Sequence, residues 1–332
     1  MSCSGFRRGP CRWLREMPPS KLWFLATASF LACVGLLALP VFAVGFFMSA
    51  PAPATIGDAP ADLHAETVAI ASASRATLSG WFIKGQPGRG AVVLLHGVKS
   101  NRLSMVRRAR LLSAAGLSVL LFDFRAHGES TGTRITFGRL EALDARAAVA
   151  FVRGRLPAER VGVIGTSLGG AAALLGPDPL AVDALVLEAV YSNIGTATAN
   201  RIRVVLGPVL GSAMALPAAW LFELLLPPVL GTRPSELAPI DHVAEAAAPV
   251  LIASGTRDDR TTIAEAKAMF DRARQPKSFW SVEGAGHVDL EAFAPDEYRR
   301  RVLPFLLETL QRLRSSILRE SGQRFSADTA IK

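Results

Sequence analysis

One serine lies in a sequence context that suits a nucleophile. Residues 161–175 read VGVIGTSLGGAAALL, a β-branched run followed by Gly165-Thr-Ser167-Leu-Gly169 and then by small residues compatible with a helix. The pattern predicts a strand, a sharp turn and a helix with Ser167 at the apex, the arrangement of a G-x-S-x-G nucleophile elbow with its strained serine. Glycines two residues before and after the serine allow strand and helix to approach closely. Ser167 is therefore the predicted nucleophile.

A serine hydroxyl is a weak nucleophile, so it requires a base and a third group that orients the base. On such a fold the acid and then the histidine follow the serine in the chain. Of the five histidines, only His242 and His287 do so. His287 lies in the glycine-rich segment EGAGHVD after a predicted strand and is the predicted base, whereas His242, in PIDHVAE, suits a structural role at a helix start.

The acid is expected between the serine and His287. The segment IASGTRDDRTT offers two adjacent aspartates after a predicted strand, Asp258 and Asp259. We favour Asp258, three residues beyond Gly255, and interpret Asp259 as a helix-capping or solvated charge, although their adjacency leaves the alternative open. Asp123 and Glu188 also follow strands but suit hydrogen bonding within loops.

An oxyanion hole requires preorganised N–H donors. Two backbone groups are candidates. The N–H of Leu168 begins the helix after the serine, and the N–H of Val98 follows the pair His96-Gly97 at the end of another predicted strand.

The elements that must position these residues alternate along the chain. A hairpin is predicted over 66–74 and 78–84, further strands over 91–95, 117–122, 161–164, 184–187, 249–254 and 278–282, and helices over 102–115, 137–155, 262–274 and 295–313. Alternation of this kind indicates an α/β fold, a mostly parallel sheet with helices on both faces. In such sheets the site lies beyond the carboxyl ends of the strands. The residues that fall at those ends are His96-Gly97, Asp123, Ser167, Glu188 and Gly255 to Asp258.

Five segments in this order and spacing, LLHGVKSN, FDFRAHGES, GTSLGG, SGTRDD and EGAGH, resemble the α/β-hydrolase superfamily over residues 66–313, in particular its serine aminopeptidase-like and monoacylglycerol-lipase-like hydrolases. The resemblance implies an eight-stranded core sheet and an acyl-serine intermediate formed without a cofactor. It also implies the triad Ser167, Asp258 and His287, with Val98 and Leu168 as oxyanion donors.

The N-terminal region predicts a membrane anchor. Residues 1–21 hold five basic side chains and one acidic, and residues 22–50 hold no charge. This apolar run exceeds the roughly 20 residues that cross a bilayer as a helix, and the basic flank places the N-terminus in the cytoplasm and the catalytic domain outside it. A cleaved signal peptide, which would release a secreted protein, is the alternative, but such peptides have shorter apolar regions. Residues 51–65 suit a Pro/Ala-rich linker and residues 314–332 a polar tail.

Residues 191–240 interrupt the predicted core between two strands. Within them, residues 204–222 carry no charge. A membrane span there would place Ser167 and His287 on opposite sides of the bilayer, so we predict an apolar cap or lid, which Pro208 and Pro217 are expected to break. The cap either packs on the core or binds an acyl chain.

Composition excludes several other classes. The net charge is +9, but no basic cluster follows the N-terminal segment and the chain has two tyrosines, which disfavours nucleic-acid binding. Cys3, Cys11 and Cys33 all precede the predicted hydrolase domain, so neither a disulfide framework nor a cysteine metal site is expected in it.

The sequence therefore predicts a membrane-anchored serine hydrolase that acts on a carboxylic ester with an apolar or lipid-like acyl group, with no metal and no cofactor. Two alternatives remain: an aminopeptidase-like peptide hydrolase, and a catalytically silent hydrolase fold that serves as a binding protein.

Overall fold

The computed structural model describes residues 18–328, without the side chains of residues 312–328 and of part of the first helix. Most of the predicted basic segment and the last four residues of the predicted tail lie outside this range. The described residues form an eight-stranded sheet of strand order β8-β7-β6-β5-β3-β4-β2-β1. Its strands are β1 (Glu66–Ala71), β2 (Thr77–Ile83), β3 (Ala91–Leu95), β4 (Ser118–Phe122), β5 (Val161–Thr166), β6 (Ala184–Glu188), β7 (Val250–Gly255) and β8 (Lys277–Val282).

The sheet is parallel except at one edge. Strand β2 pairs antiparallel with both β1 and β4, and every other pair is parallel. This order and direction confirm the predicted α/β-hydrolase fold with a mostly parallel central sheet.

Helices cover both faces of this sheet. They are α1 (Pro19–Ser49), α2 (Val106–Ala114), α3 (Glu141–Arg155), α4 (Leu168–Leu174), α5 (Ile194–Leu230), α6 (Pro239–His242), α7 (Ile263–Arg272), α8 (Leu290–Phe293) and α9 (Pro295–Asp328).

Strand β3 shows why the apolar runs form central strands. Each of its five residues is buried, Val93 and Leu95 in the core on one face of the sheet and Val92 and Leu94 in the core on the other. Because side chains alternate across a strand, a continuous apolar run fits only a strand covered on both faces.

Three helices differ by several residues from their predicted bounds. The helix predicted over 102–115 begins at Val106, after a 3₁₀ turn over Arg102–Met105. The helix predicted over 137–155 begins at Glu141, because Phe137 and Gly138 both adopt positive φ, 54° and 112°, which a helix does not allow. The last helix continues beyond residue 313 to Asp328.

The segment predicted as a linker lies against the domain. Ala52–Pro53 pairs with His127–Gly128, the N–H groups of Ile56 and Gly57 donate to the Glu129 carboxylate, and Leu63 is buried in the core. These contacts fix the end of α1 relative to the sheet.

Helix α5 turns back on itself. Gly207, with φ 76°, interrupts the helix, and Pro208 begins its second half, a position where the missing N–H costs nothing. The halves pack through Ala199, Ala215 and Ala219. Pro217 lies within the second half, so the expected break occurs at Pro208 and the expectation for Pro217 is wrong.

Within the part of the chain whose side chains are described, one helix, α5, is long and apolar enough to cross a membrane by length and composition alone. Its two packed halves lie within residues 191–240, the segment predicted as a cap. The first half begins and the second half passes beside the same cavity, which Ile194 and Phe222 both line.

Helix α4 lies unusually close to the sheet. A Cβ atom added at Gly169 would lie 2.2 Å from the carbonyl oxygen of Leu95, and one at Gly170 would lie 2.2 Å from Cγ2 of Val190. Neither contact is sterically possible, so these positions require glycine.

We predict that Gly169→Ala lowers the free energy of unfolding by about 1–3 kcal/mol, because α4 must move away from β3. The matched control is Gly154→Ala in α3, where an added Cβ meets nothing within 4 Å; there the gain in helix propensity raises stability by up to about 1 kcal/mol. Urea unfolding of the full chain in neutral detergent measures both. Equal effects of the two substitutions would contradict the packing argument.

Candidate active site

Ser167 sits between β5 and α4 in a strained conformation. Its φ is 52° and its ψ −112°, a region that non-glycine residues rarely occupy. The Ser167 N–H donates to the carbonyl oxygen of Glu188 at 2.8 Å, which fixes the turn to the end of β6. The predicted elbow geometry is therefore present, and it directs the serine beyond the carboxyl end of the sheet.

Asp258 and His287 meet after β7 and β8. His287 Nδ1 lies 2.8 Å from Asp258 Oδ2, and the same carboxylate accepts hydrogen bonds from the N–H groups of Arg260 and Thr261 and from the Thr261 hydroxyl. The two loops approach closely at Gly255, where an added Cβ would lie 2.2 Å from the Ala285 carbonyl oxygen.

The Asp258 carboxyl is wholly buried. Burial acts to raise its pKa, but the hydrogen bond and charge of His287 and the donors of Thr261 outweigh that effect, so the pKa of Asp258 is lowered. An ionised carboxylate at this position accepts the Nδ1–H of His287, which leaves Nε2 free to act as a base.

Leu168 and Val98 both lie beside Ser167. Leu168 is the first residue of α4, so its N–H has no partner within the helix. Val98 packs against the small apolar cluster that contains Leu168. The two predicted oxyanion donors therefore belong to neighbouring loops at one cavity.

Two histidines that the sequence assigned no role support the Val98 loop. His127 Nε2 accepts the N–H of Lys99 at 3.1 Å, and His96 Nε2 accepts the N–H of Phe124 at 3.0 Å. Burial, with repulsion from His127, lowers the pKa of His96 to about 3, so its ring stays neutral and retains its acceptor nitrogen.

The remaining candidates lie elsewhere. Asp259 is exposed. His242 contacts Glu245 at 3.1 Å near the surface. Asp123 is buried against Arg102, and Glu188 is buried against Arg108. The structure thus brings Asp258, not Asp259, to the histidine.

Ser167, His287, Val98 and Leu168 line one cavity that is open to solvent. Its other walls are mainly apolar and come from the end of α1, from both halves of α5 and from the loops before α3 and α5: Gly45, Met48, Phe137, Tyr191, Ile194, Ala197, Ile202 and Phe222.

The contribution of α1 had no signal in the sequence, because an apolar segment has the same composition whether or not it touches the site. Gly45 marks the contact: an added Cβ there would lie 2.7 Å from the Phe222 ring. Arg201 and Arg260, which also line the cavity, were missed for a similar reason, since they are 59 positions apart in sequence.

In the described part of the chain, no group of three or more His, Cys, Asp or Glu side chains is arranged to hold a metal ion.

The chain is similar in sequence to one family model and to known proteins from plants and bacteria. The family model described as serine aminopeptidase S33 matches residues 86–226. The alpha/beta hydrolase domain-containing protein WAV2 of Arabidopsis thaliana is 30% identical over 253 residues, 73% of this chain and 78% of that protein. YfhR of Escherichia coli (strain K12) is 26% identical and covers 88% of this chain and 95% of its own length.

A solved structure is similar over most of the chain. The esterase Pf2001 of Pyrococcus furiosus superimposes with a TM-score of 0.65 at 28% identity and covers 79% of this chain and 98% of its own.

We predict that Asp258→Asn lowers kcat/KM for p-nitrophenyl butyrate by about 10³–10⁴-fold, because the amide no longer stabilises a charged, correctly oriented imidazole. Asp259→Asn is the same change at the adjacent exposed residue, and it alters kcat/KM by less than about twofold. A larger loss in the Asp259 variant would assign the acid to Asp259.

Proposed function

This chain belongs to the α/β-hydrolase superfamily, and we propose that it is a serine hydrolase that cleaves carboxylic esters with apolar or lipid-like acyl groups. One observation carries the proposal. A strained serine, a histidine paired with a buried carboxylate, and two backbone N–H groups all adjoin the same apolar cavity.

The chemistry follows from these positions. His287 takes the proton of Ser167 as the serine oxygen attacks the ester carbonyl, and Asp258 stabilises the resulting imidazolium. The N–H groups of Leu168 and Val98 donate to the oxyanion. The alcohol leaves with the proton from His287, and water then hydrolyses the acyl-serine by the same steps.

The shape of the cavity supports an apolar acyl group. Phe137 and Phe222 pack edge to face at its wall, with ring centroids 6.1 Å apart, and Met48 adds a flexible apolar side chain from α1. An acyl chain that extends from Ser167 along these residues would be removed from water, which contributes about 0.8 kcal/mol for each methylene.

The charges around the site favour an ester over a peptide with a free amino terminus. Arg201 and Arg260 line the cavity, and the acidic residue near the mouth, Asp289, is already paired with Arg108 at 2.8 Å. Binding of a substrate α-ammonium group would therefore be opposed by two cations. The Pyrococcus protein of similar structure is an esterase, which supports the same choice.

We further propose that residues 22–50 anchor the enzyme in a membrane, with the N-terminus cytoplasmic and the catalytic domain outside. The absence of charge in this stretch supports an anchor. Side chains that protrude from α5, among them Val205, Val209, Leu216 and Trp220, are 66–85% exposed and would be covered by the lipid interface. Signal cleavage near Ala50 would remove Met48 from the cavity, which disfavours the secreted alternative.

A fluorophosphonate probe tests the activated serine. In membrane fractions we expect Ser167→Ala and His287→Ala to abolish labelling, because one removes the nucleophile and the other its base. Ser281→Ala and His242→Ala, matched changes away from the cavity, retain it. Labelling that persists in the Ser167 variant, or is absent from the folded wild type, would contradict the proposal.

Enlarging the apolar cavity tests whether it binds the acyl chain. Phe222→Ala lengthens the cavity, so the ratio of kcat/KM for p-nitrophenyl dodecanoate to that for the butyrate should rise several-fold, at about 0.8 kcal/mol for each newly buried methylene. Trp220→Ala removes an aromatic side chain on the same helix that is 66% exposed and outside the cavity, and leaves the ratio unchanged. An unchanged ratio in the Phe222 variant would show that acyl chains bind elsewhere.

A further inference from the structure

Two arginines near the nucleophile have no partner. The guanidinium groups of Arg201, in the first half of α5, and Arg260, after β7, make no hydrogen bond or ion pair with any residue in the described part of the chain. The two groups also repel each other. An anion placed between the two guanidinium groups would reduce this repulsion and give both groups a partner.

The same two arginines stand where two compartments of the site meet. The apolar cavity described above and a second, more polar cavity share Ser167, His287, Arg201 and Arg260. The polar compartment extends from there over Gly97, Lys99, Ser100 and Ser104. Ser167 therefore has an apolar space on one side and a polar, positively charged space on the other.

Acidic groups do not neutralise this second compartment. Its one lining carboxylate among the described residues, Asp289, is paired with Arg108. Arg108 also contacts the buried Glu188, so this set carries one positive and two negative charges, against the three further cations Lys99, Arg201 and Arg260 that line the same compartment. Lys99 donates to the carbonyl oxygen of Ala50 at 2.6 Å and lies over the Phe47 ring, and no carboxylate among the described residues pairs with it.

We infer that Arg201 and Arg260 form an anion subsite, and that the substrate is an amphiphilic ester whose alcohol portion carries a phosphate or a carboxylate. The acyl chain occupies the apolar cavity, the ester carbonyl lies at Ser167, and the anion on the alcohol is held by the two guanidinium groups, which match phosphate and carboxylate oxygens in pairs. This inference rests on the proposed ester hydrolysis and names the class of its leaving group.

The test compares esters that share one acyl chain. The full chain in neutral detergent is assayed with 1-octanoylglycerol, with 1-octanoylglycerol 3-phosphate and with the octanoyl ester of glyceric acid. We expect kcat/KM for at least one anionic ester to exceed that for the neutral ester by about tenfold or more, because hydrogen bonds to charged groups are among the stronger ones. The phosphate and carboxylate substrates show which anion the subsite accepts.

The variants locate the preference. In the double variant Arg201→Gln, Arg260→Gln, the ratio of anionic to neutral kcat/KM falls to about one, mainly through KM for the anionic ester. Arg203→Gln is the matched control, since Arg203 lies on the same helix, contacts Asn200 and is outside both compartments; it keeps the wild-type ratio. Should the double variant not fold, the single variant Arg260→Gln, at an exposed side chain, replaces it. A lower ratio of anionic to neutral kcat/KM supports the subsite, and an unchanged ratio overturns it.

Fluorophosphonate labelling of the same samples separates the two proposals. A wild type that is labelled and hydrolyses all three esters at similar rates overturns the anion subsite and leaves the esterase proposal intact. Loss of binding to anionic lipid vesicles in the double variant with an unchanged substrate ratio also overturns it, because the arginines would then contact a membrane surface. A folded wild type without labelling overturns both proposals.

Discussion

The close approach of α4 to the sheet is the contact on which the site depends. Gly169 lies against the backbone at Leu95, so the turn that carries Ser167 touches the strand that leads into Val98. One packing contact therefore sets both the position of Ser167, the predicted nucleophile, and its separation from Val98, a predicted oxyanion donor. Ser167 keeps its positive φ because the packed backbone around the turn prevents it from adopting another conformation.

A buried charge network connects this turn with the histidine loop. Glu188, at the end of β6, accepts hydrogen bonds from Arg108, Tyr298 and the hydroxyl of Thr166, the residue before the serine. Arg108 also contacts Asp289, two residues after His287. Since a buried ion that loses its partner is costly, the network holds the elbow and the histidine loop in one arrangement.

The walls of the cavity come from segments outside the core of the fold. In the proposed mechanism the sheet and its loops supply the groups that attack the ester, whereas α1 and α5 supply most of the apolar cavity wall. The proposed membrane anchor and the proposed acyl pocket are thus parts of one structure. An amphiphilic substrate could move from the lipid phase past α5 to Ser167 while its anionic portion stays near Arg201 and Arg260.

Local patterns were enough to predict the sheet, the elbow and the order of serine, acid and histidine. A buried parallel strand needs a continuous apolar run, and a sharp strand-to-helix turn needs glycines at fixed offsets. Both patterns involve residues that are neighbours in the sequence, so the sequence alone predicts them. Tertiary structure decided the rest. Asp258, which is buried, contacts His287, whereas the neighbouring Asp259 does not. The segment predicted as a linker is held by pairing with His127–Gly128. Packing of distant segments brings Met48, Phe222, Arg201 and Arg260 to one cavity. These contacts join residues far apart in the chain, and no local pattern encodes such a distance.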